Sequence, residues 1–389
     1  MTKSGVITVL VVLLTASALP ADPVSGGGAS TPAESLLLTF AGDIMHHDLN
    51  ARMDDYDRLY DAVRPYLHED SLSFANIEFP VDPDREPSGY PLFNGTAEYV
   101  EAAVRGGFDV FSLANNHSFD WGARSAAATA RLFSLLSAES GTYHNGLRDG
   151  QEAAIIPTVI HHDGWTIAFV SITTICNAGG SSRFIHLVDH TDAPAVEGFL
   201  ARISQWDAEF DLLVVSVHAG IEYATRPDPV KARFFRDLVA HGADIVWGHH
   251  PHVLQPWESV ATGSAKKLIL HSTGNFISAQ RRYQQPFLPL GRWAPTGDTA
   301  LFRVTVTRGS ESDLSGRAQP TIAQVSTPIF TVHNDPIHGM IPKTFGAVLT
   351  EPLPLIWRAF YAARYASTRS LLNAPLVSIT VRPVNAPRP

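Results

Sequence analysis

Short apolar runs alternate with longer segments of helical spacing through most of the chain. Residues 36–41 form an apolar run of strand length that ends at Gly42-Asp43-Ile44-Met45. A shorter run over 73–75 leads to Asn76-Ile77-Glu78, where alternation on an extended chain points Asn76 and Glu78 the same way. Residues 108–113 lead to Ala114-Asn115-Asn116-His117, with Asp120 and Gly122 just beyond. The stretch 211–217 is almost continuously apolar, as a strand covered on both faces is, and ends at His218-Ala219-Gly220-Ile221-Glu222. Residues 244–247 run into Gly248-His249-His250-Pro251-His252, and 268–272 into Thr273-Gly274-Asn275-Phe276. Between these runs the spacing predicts helices over 56–67 (Pro65 weakens its end), 96–106, 123–137, 193–209 and 229–241. Strands alternating with helices predict an α/β protein with a largely parallel sheet. Two further runs, 155–160 and 165–172, predict paired strands joined by a turn over 161–164, whose His161 and His162 face solvent. The Pro- and Gly-rich segment 80–95 and residues 280–298 predict loops, the first overhanging the strand ends. A strand over 300–306 closes the pattern; after Arg308 it loosens, with one helix over 355–371.

The N-terminus follows a different rule. Lys3 precedes an apolar run over 6–19, and Ala16-Ser17-Ala18 has the small-x-small form of a signal-peptidase site. This predicts a secretory signal over 1–21 and export to the periplasm or the exterior, with an uncleaved membrane anchor as the alternative. The Gly-rich segment 22–34 reads as a linker, 35–309 as the principal domain and 310–389 as a C-terminal extension. Cys176 is the only cysteine, so no intrachain disulfide forms and no cysteine follows the apolar run to carry a lipid. A hydrophobic fraction of 45% with 17% charged residues is that of a globular chain. The formal charge of −9 is spread without blocks, which excludes a nucleic-acid footprint. It leaves an anionic substrate open, because a bound metal inverts the local charge.

Five apolar runs thus end in polar residues of unusual kind: Asp43, Asn76 with Glu78, Asn116 with His117, His218, and the His249–His252 turn. Each has an ordinary reading as a cap, a turn or a surface histidine. Their recurrence at one structural position has none, because parallel strands bring their carboxyl ends to one edge, where α/β proteins bind ligands. Carboxylate, amide oxygen and imidazole together suit one or two ions of Zn²⁺, Mn²⁺ or Fe²⁺ rather than Ca²⁺. Such a centre hydrolyses phosphoesters or amides. With Asn116 as a ligand, His117 is left to act as general acid.

In this order and as a set, these motifs resemble the CapA-type poly-γ-glutamate capsule biosynthesis proteins, the PGA_cap family, a branch of the calcineurin-like metallophosphoesterases. The resemblance covers about residues 36–308. It implies a four-layer α/β/β/α sandwich. It implies Asp43, Asn116, His218, His250 and His252 as metal ligands, Glu78 in the bridging position, and His117 as the catalytic histidine. The doubled histidine leaves the register open between His249 and His250; the reading adopted takes His250, with His249 turned away or supporting the ligands from behind. Asn76, Asn115, Asp120, Glu222, His249 and Asn275 are expected to contact substrate or to orient the ligands. The wider superfamily has a His two residues after its first Asp, where this chain has Met45. The implied function is a capsule or surface-polymer factor. Its site either hydrolyses a phosphoester or amide of an anionic polymer or binds that polymer without catalysis, alongside membrane-bound capsule synthesis proteins.

Overall fold

A computed structural model describes residues 34–150, 154–312, 318–335, 337–373, 375 and 378–380. The predicted signal and nearly all of the linker lie outside the described residues. In chain order the strands are β1 (Ser35–Ile44), β2 (Leu72–Ile77), β3 (Val110–Ser112), β4 (Tyr143–Asn145), β5 (Thr158–His162), β6 (Trp165–Thr173), β7 (Leu212–His218), β8 (Ile245–His249), β9 (Trp257–Thr262), β10 (Ala265–Leu270), β11 (Asn275–Ile277), β12 (Asp298–Ala300), β13 (Phe302–Ser312), β14 (Ala318–Ser326), β15 (Ile329–Asp335), β16 (Gly339–Thr344) and β17 (Ser378–Thr380). The helices are α1 (Asp48–Ala51), α2 (Arg64–Leu67), α3 (Ala97–Gly106), α4 (Gly122–Ser140), α5 (Ala193–Glu209), α6 (Pro229–Ala240), α7 (Phe345–Thr350) and α8 (Leu355–Leu372).

Two seven-stranded sheets pack face to face. The first runs β14-β13-β1-β2-β3-β4, with β11 added beside the end of β1; the second runs β17-β9-β10-β8-β7-β6-β5. Strands β1 to β4 are mutually parallel, as are β6, β7, β8 and β10. Between the sheets lie Leu38, Phe40, Phe74 and Val110 from the first and Ile167, Phe169, Val214, Trp247 and Leu268 from the second. Phe40 and Phe74 stack at 4.6 Å, and Trp247 closes on both. Burying each such side chain stabilises the fold by about 1.5–3 kcal/mol. The alternate residues of the same strands face outward. Ala41, Ala75 and Phe111 meet Val100 and Ala103 of α3 and Ala130 and Phe133 of α4. Val170, Val215 and Val246 meet Ile203 of α5 and Phe235 and Leu238 of α6. That is the four-layer α/β/β/α order, and both faces of each central strand are apolar because both are covered.

Three local expectations need correction. Residues 56–67 do not form one helix: a 3-10 turn covers Tyr56–Leu59 and α2 restarts at Arg64–Leu67. Pro65 sits in the first turn of α2, where its missing N–H costs nothing, so it begins a helix rather than weakening one. The hairpin begins at Thr158, not 155, and its turn is only Asp163-Gly164, both with positive φ (48° and 77°). His161 and His162 are therefore strand residues, exposed and half-buried. The loosened pattern after 308 is also more ordered than the sequence suggests. β14 extends the first sheet beside β13, β17 joins the second beside β9, and β12, β15 and β16 make a small third sheet. The described residues form one compact unit. Among the described residues no helix is long and apolar enough to cross a membrane.

Candidate metal centre

The carboxyl ends of both parallel sets meet at one edge. In the first sheet Asp43 lies in register with Asn76 of β2 and Asn275 of β11. This close pairing depends on Gly42: a Cβ there would stand 2.0 Å from the Gly274 carbonyl oxygen. In the second sheet His218 of β7 pairs with His249 of β8. Gly248 plays the same part there, since a Cβ on it would stand 2.2 Å from the His271 carbonyl oxygen. The turn that follows is held in an uncommon shape. His250 has φ of 91° and His252 of 56°, left-handed conformations that cost a non-glycine residue about 1–3 kcal/mol each and cluster at functional sites.

The side chains converge. Glu78, His218 and His250 each bring a ligand atom within 4.8 Å of the others, and so do Asp43, Glu78 and His252. Glu78 is common to both groups. Asn116 joins the first, its Oδ1 2.8 Å from His218 Nε2. Asp43 Oδ1 accepts hydrogen bonds from Asn76 Nδ2 (2.8 Å) and His249 Nδ1 (2.8 Å). His252 Nδ1 lies 3.1 Å from Asn275 Oδ1, which fixes that ring with its Nε2 lone pair toward Glu78 Oε1 at 3.6 Å. Two acceptors then face each other. Both Glu78 oxygens, Asp43 Oδ2, His218 Nδ1, His249 Nε2 and His250 Nδ1 are buried without a hydrogen-bond partner.

The electrostatics say the same. Burial pushes the Glu78 carboxyl well above the usual range, and the Asp43 carboxylate beside it adds to the push. Burial works in the same direction on Asp43, but hydrogen bonds and charge from His249 and His252 hold it well below. Burial lowers His249 and takes His218 well below its ordinary value, and with His252 and Lys231 it takes His250 down to about 3. The imidazoles of His218 and His250 are therefore neutral near pH 7, the form in which they bind metal. A buried carboxylate among neutral rings needs a positive charge to offset its desolvation. A divalent cation would supply that charge, and the donor set of carboxylate, amide oxygen and imidazole fits a transition metal.

His117 stands beside this cluster in a different environment. Its Nδ1 lies 2.8 Å from Asp120 Oδ2, and the same oxygen accepts the Phe93 N–H at 2.9 Å. The Phe93 ring packs edge-on against the imidazole at 4.7 Å. Asn115 braces the turn: its Oδ1 accepts the His117 N–H (3.1 Å) and its Nδ2 donates to the Ile77 carbonyl (2.7 Å). Of the residues singled out from sequence, Glu222 alone is exposed; it lies at the rim, where its charge adds to the push on Glu78. His46 and His47, next to Asp43, pack against Tyr99 and Phe93 and belong to neither ligand group. Three contributors were not singled out from sequence. Phe93 reaches His117 from the loop 80–95. Tyr223, another left-handed residue (φ 63°), sits beside His252. Lys231 of α6 is buried behind the His turn, its Nζ 3.5 Å from Gln255 Oε1, and burial takes it down to about 7. The overhang of loop 80–95 was the signal for the first; nothing in the spacing pointed to the other two.

Two apposed sheets with carboxylate, amide and imidazole donors at their shared edge define a metallophosphoesterase-like sandwich. The family profile described as "Bacterial capsule synthesis protein PGA_cap" matches residues 37–280, and the chain belongs to that family. It is 29% identical over 282 residues to "Capsule biosynthesis protein CapA" of Bacillus anthracis, covering 69% of this chain and 63% of that protein. It is 27% identical over 292 residues to "PGA biosynthesis protein CapA" of Bacillus subtilis (strain 168), covering 71% and 70%. The match therefore spans a little under two thirds of the first relative's length. A solved structure of a hypothetical protein from Thermus thermophilus aligns with a TM-score of 0.40 at 16% identity, covering 76% of this chain and 99% of that one.

Proposed function

We propose that this protein is a metal-dependent hydrolase of the cell-surface compartment, acting on a phosphoester or amide bond of an anionic polymer in poly-γ-glutamate capsule synthesis. The observation that carries the reading is Glu78: fully buried, without a hydrogen-bond partner on either oxygen, and common to both ligand groups. The names of the relatives support the polymer, and the apolar N-terminal run supports export. Asp43, Glu78, Asn116, His218, His250 and His252 would hold one or two ions of Mn, Zn or Fe. When bound, such an ion polarises a phosphoryl or carbonyl oxygen and acidifies water.

The chain's own residues divide the remaining work. His249, Asn76 and Asn275 fix the orientation of Asp43 and His252 through the hydrogen bonds described, as supporting groups around metal ligands do. Asp120 holds His117 Nδ1, which keeps Nε2 for proton transfer and stabilises the imidazolium. His117 then donates a proton to the leaving group. Phe93 shields that hydrogen bond from water.

The test is turnover of a γ-linked glutamate oligomer and of p-nitrophenyl phosphate by the metal-loaded protein. His117→Ala should keep its metal and lose about 10²–10⁴-fold in rate. Asp43→Ala should lose both metal and rate. A wild type that binds the oligomer but turns over neither compound contradicts the hydrolase and leaves a polymer-binding site.

A further inference from the structure

The residues at the mouth of the centre are not uniform. On the His252 side, Tyr223 is pinned to the ligand turn by its N–H, which donates to the Pro251 carbonyl at 2.8 Å. Its φ of 63° is a left-handed conformation, held here so that the ring stands 6.1 Å from His252. The ring packs against Trp293 at 4.7 Å. Its hydroxyl accepts from Gln280 Nε2 at 3.2 Å, and Gln280 Oε1 accepts from Asn275 Nδ2 at 3.0 Å. Asn275 Oδ1 is the partner of His252, so this ring is tied to a metal ligand by a continuous chain of hydrogen bonds. Above Tyr223 and Trp293 lies the exposed guanidinium of Arg292, 5.4 Å and 5.2 Å from the two ring centres. Among the described residues no carboxylate stands within ion-pair distance of it, although Glu222 is the neighbour of Tyr223.

An arginine laid on two rings at the edge of a catalytic centre is oriented before any ligand arrives. It loses less freedom on binding than a solvated side chain does, and its planar fork matches a carboxylate. On the His117 side the loop that carries Phe93 exposes Tyr90 and Leu92, and its one nearby cation, Arg85, is paired with Asp82 at 3.4 Å. Arg292 has no such partner among the described residues and is left to meet a carboxylate.

We propose that Arg292, held on Tyr223 and Trp293, is the specificity-determining residue of a substrate subsite on the His252 side, where it binds a carboxylate side group of an extended acidic chain. The rings pack against the methylenes of that chain, and the Tyr223–Gln280–Asn275 bonds set the subsite's distance from His252. This deepens the reading of the centre as one that acts on an anionic polymer and rests on it.

The test measures binding of a fluorescent, short γ-linked glutamate oligomer, and of the same oligomer with its carboxylates amidated, to the full chain loaded with Mn²⁺. Wild type should prefer the acidic oligomer. Arg292→Ala should bind it roughly tenfold more weakly, the worth of one charge-assisted contact, and bind the amidated oligomer as wild type does. Arg292→Lys, which keeps the charge and loses the planar stack, should fall between the two. Metal content and melting temperature should match wild type in both variants. An Arg292→Ala protein that keeps wild-type affinity for the acidic oligomer, or a wild type without the preference, overturns the proposal. Failure of the metal reading shows separately, as a wild type that retains no Mn²⁺; the same comparison on the metal-free protein then decides the role of Arg292.

Discussion

Among the described residues two glutamates are completely buried, Glu258 and Glu78, and they live in opposite circumstances. Glu258 on β9 receives Arg236 through both oxygens (2.7 and 3.0 Å) and His271 Nε2 at 2.8 Å. Burial works to raise its carboxyl, but these partners hold it well below the usual range. Neither oxygen of the Glu78 carboxyl has a hydrogen-bond partner, and burial lifts it well above. The histidines differ less: His271 Nε2 is paired with its carboxylate and the ring is stacked on Phe235, but its Nδ1 is left over, as are nitrogens of His218 and His250. Burial and polarity are common to both clusters; the completeness of the carboxylate's bonding separates them. A closed cluster contributes to the fold, and an open one is shaped for something that arrives from outside.

Removing the carboxylate from the closed cluster should have the larger effect on stability. Glu258→Gln leaves Arg236 and His271 with one neutral amide oxygen in place of a two-oxygen carboxylate, and the expected loss is about 3 kcal/mol, less than for a wholly buried pair because Arg236 is partly in water. Urea unfolding checks this; a loss within experimental scatter would erase the contrast.

The second expected effect is a pH dependence confined to the open cluster. The raised pKa of Glu78 means that the metal-free native state keeps a proton the unfolded chain gives up above the ordinary glutamate value. Its contribution to metal-free stability is therefore present at low pH and lost as pH rises toward the folded pKa. Metal must displace that proton, while the neutral imidazoles of His218 and His250 have none to shed. The thermal stabilisation given by Mn²⁺ should accordingly grow with pH, by up to about 1.4 kcal/mol per pH unit for the one proton. Melting curves between about pH 6 and about pH 8 read it directly. A flat response would mean that Glu78 does not bind the ion.

The smallest effect sharpens the comparison most. Glu78→Gln should leave the metal-free protein within about 1 kcal/mol of wild type, because an amide takes the place of a carboxyl already protonated. A large loss would show Glu78 to be as structural as Glu258.

Much of this was legible in the chain. The α/β class with its parallel strands was, because strands covered on both faces are written as nearly continuous apolar runs such as residues 211–217, while the four-layer sandwich came from the family resemblance. Residues Asp43, Glu78, Asn116, His218 and His252 stood out as candidates because polar groups at the ends of such runs have few structural reasons to be there. The shape of the His turn was not, since nothing in Gly248-His249-His250-Pro251-His252 announces left-handed backbone at two histidines. Nor was the return of β14 to the first sheet. Its polar Gln319, Thr321 and Gln324 alternate with small apolar residues, a pattern set by an edge strand's contact with β13 and easily read as a loop. Arg292 and Tyr223 were hidden for a third reason: they are distant in sequence and meet only through packing.

The most direct test is the metal content of the purified protein, read by inductively coupled plasma mass spectrometry together with its melting temperature. The account predicts that wild type retains Mn, Zn or Fe and melts higher with the ion than without it. Glu78→Gln should retain none and gain nothing. A wild type that carries no transition metal, and whose melting temperature does not move when Mn²⁺ or Zn²⁺ is added, would contradict it.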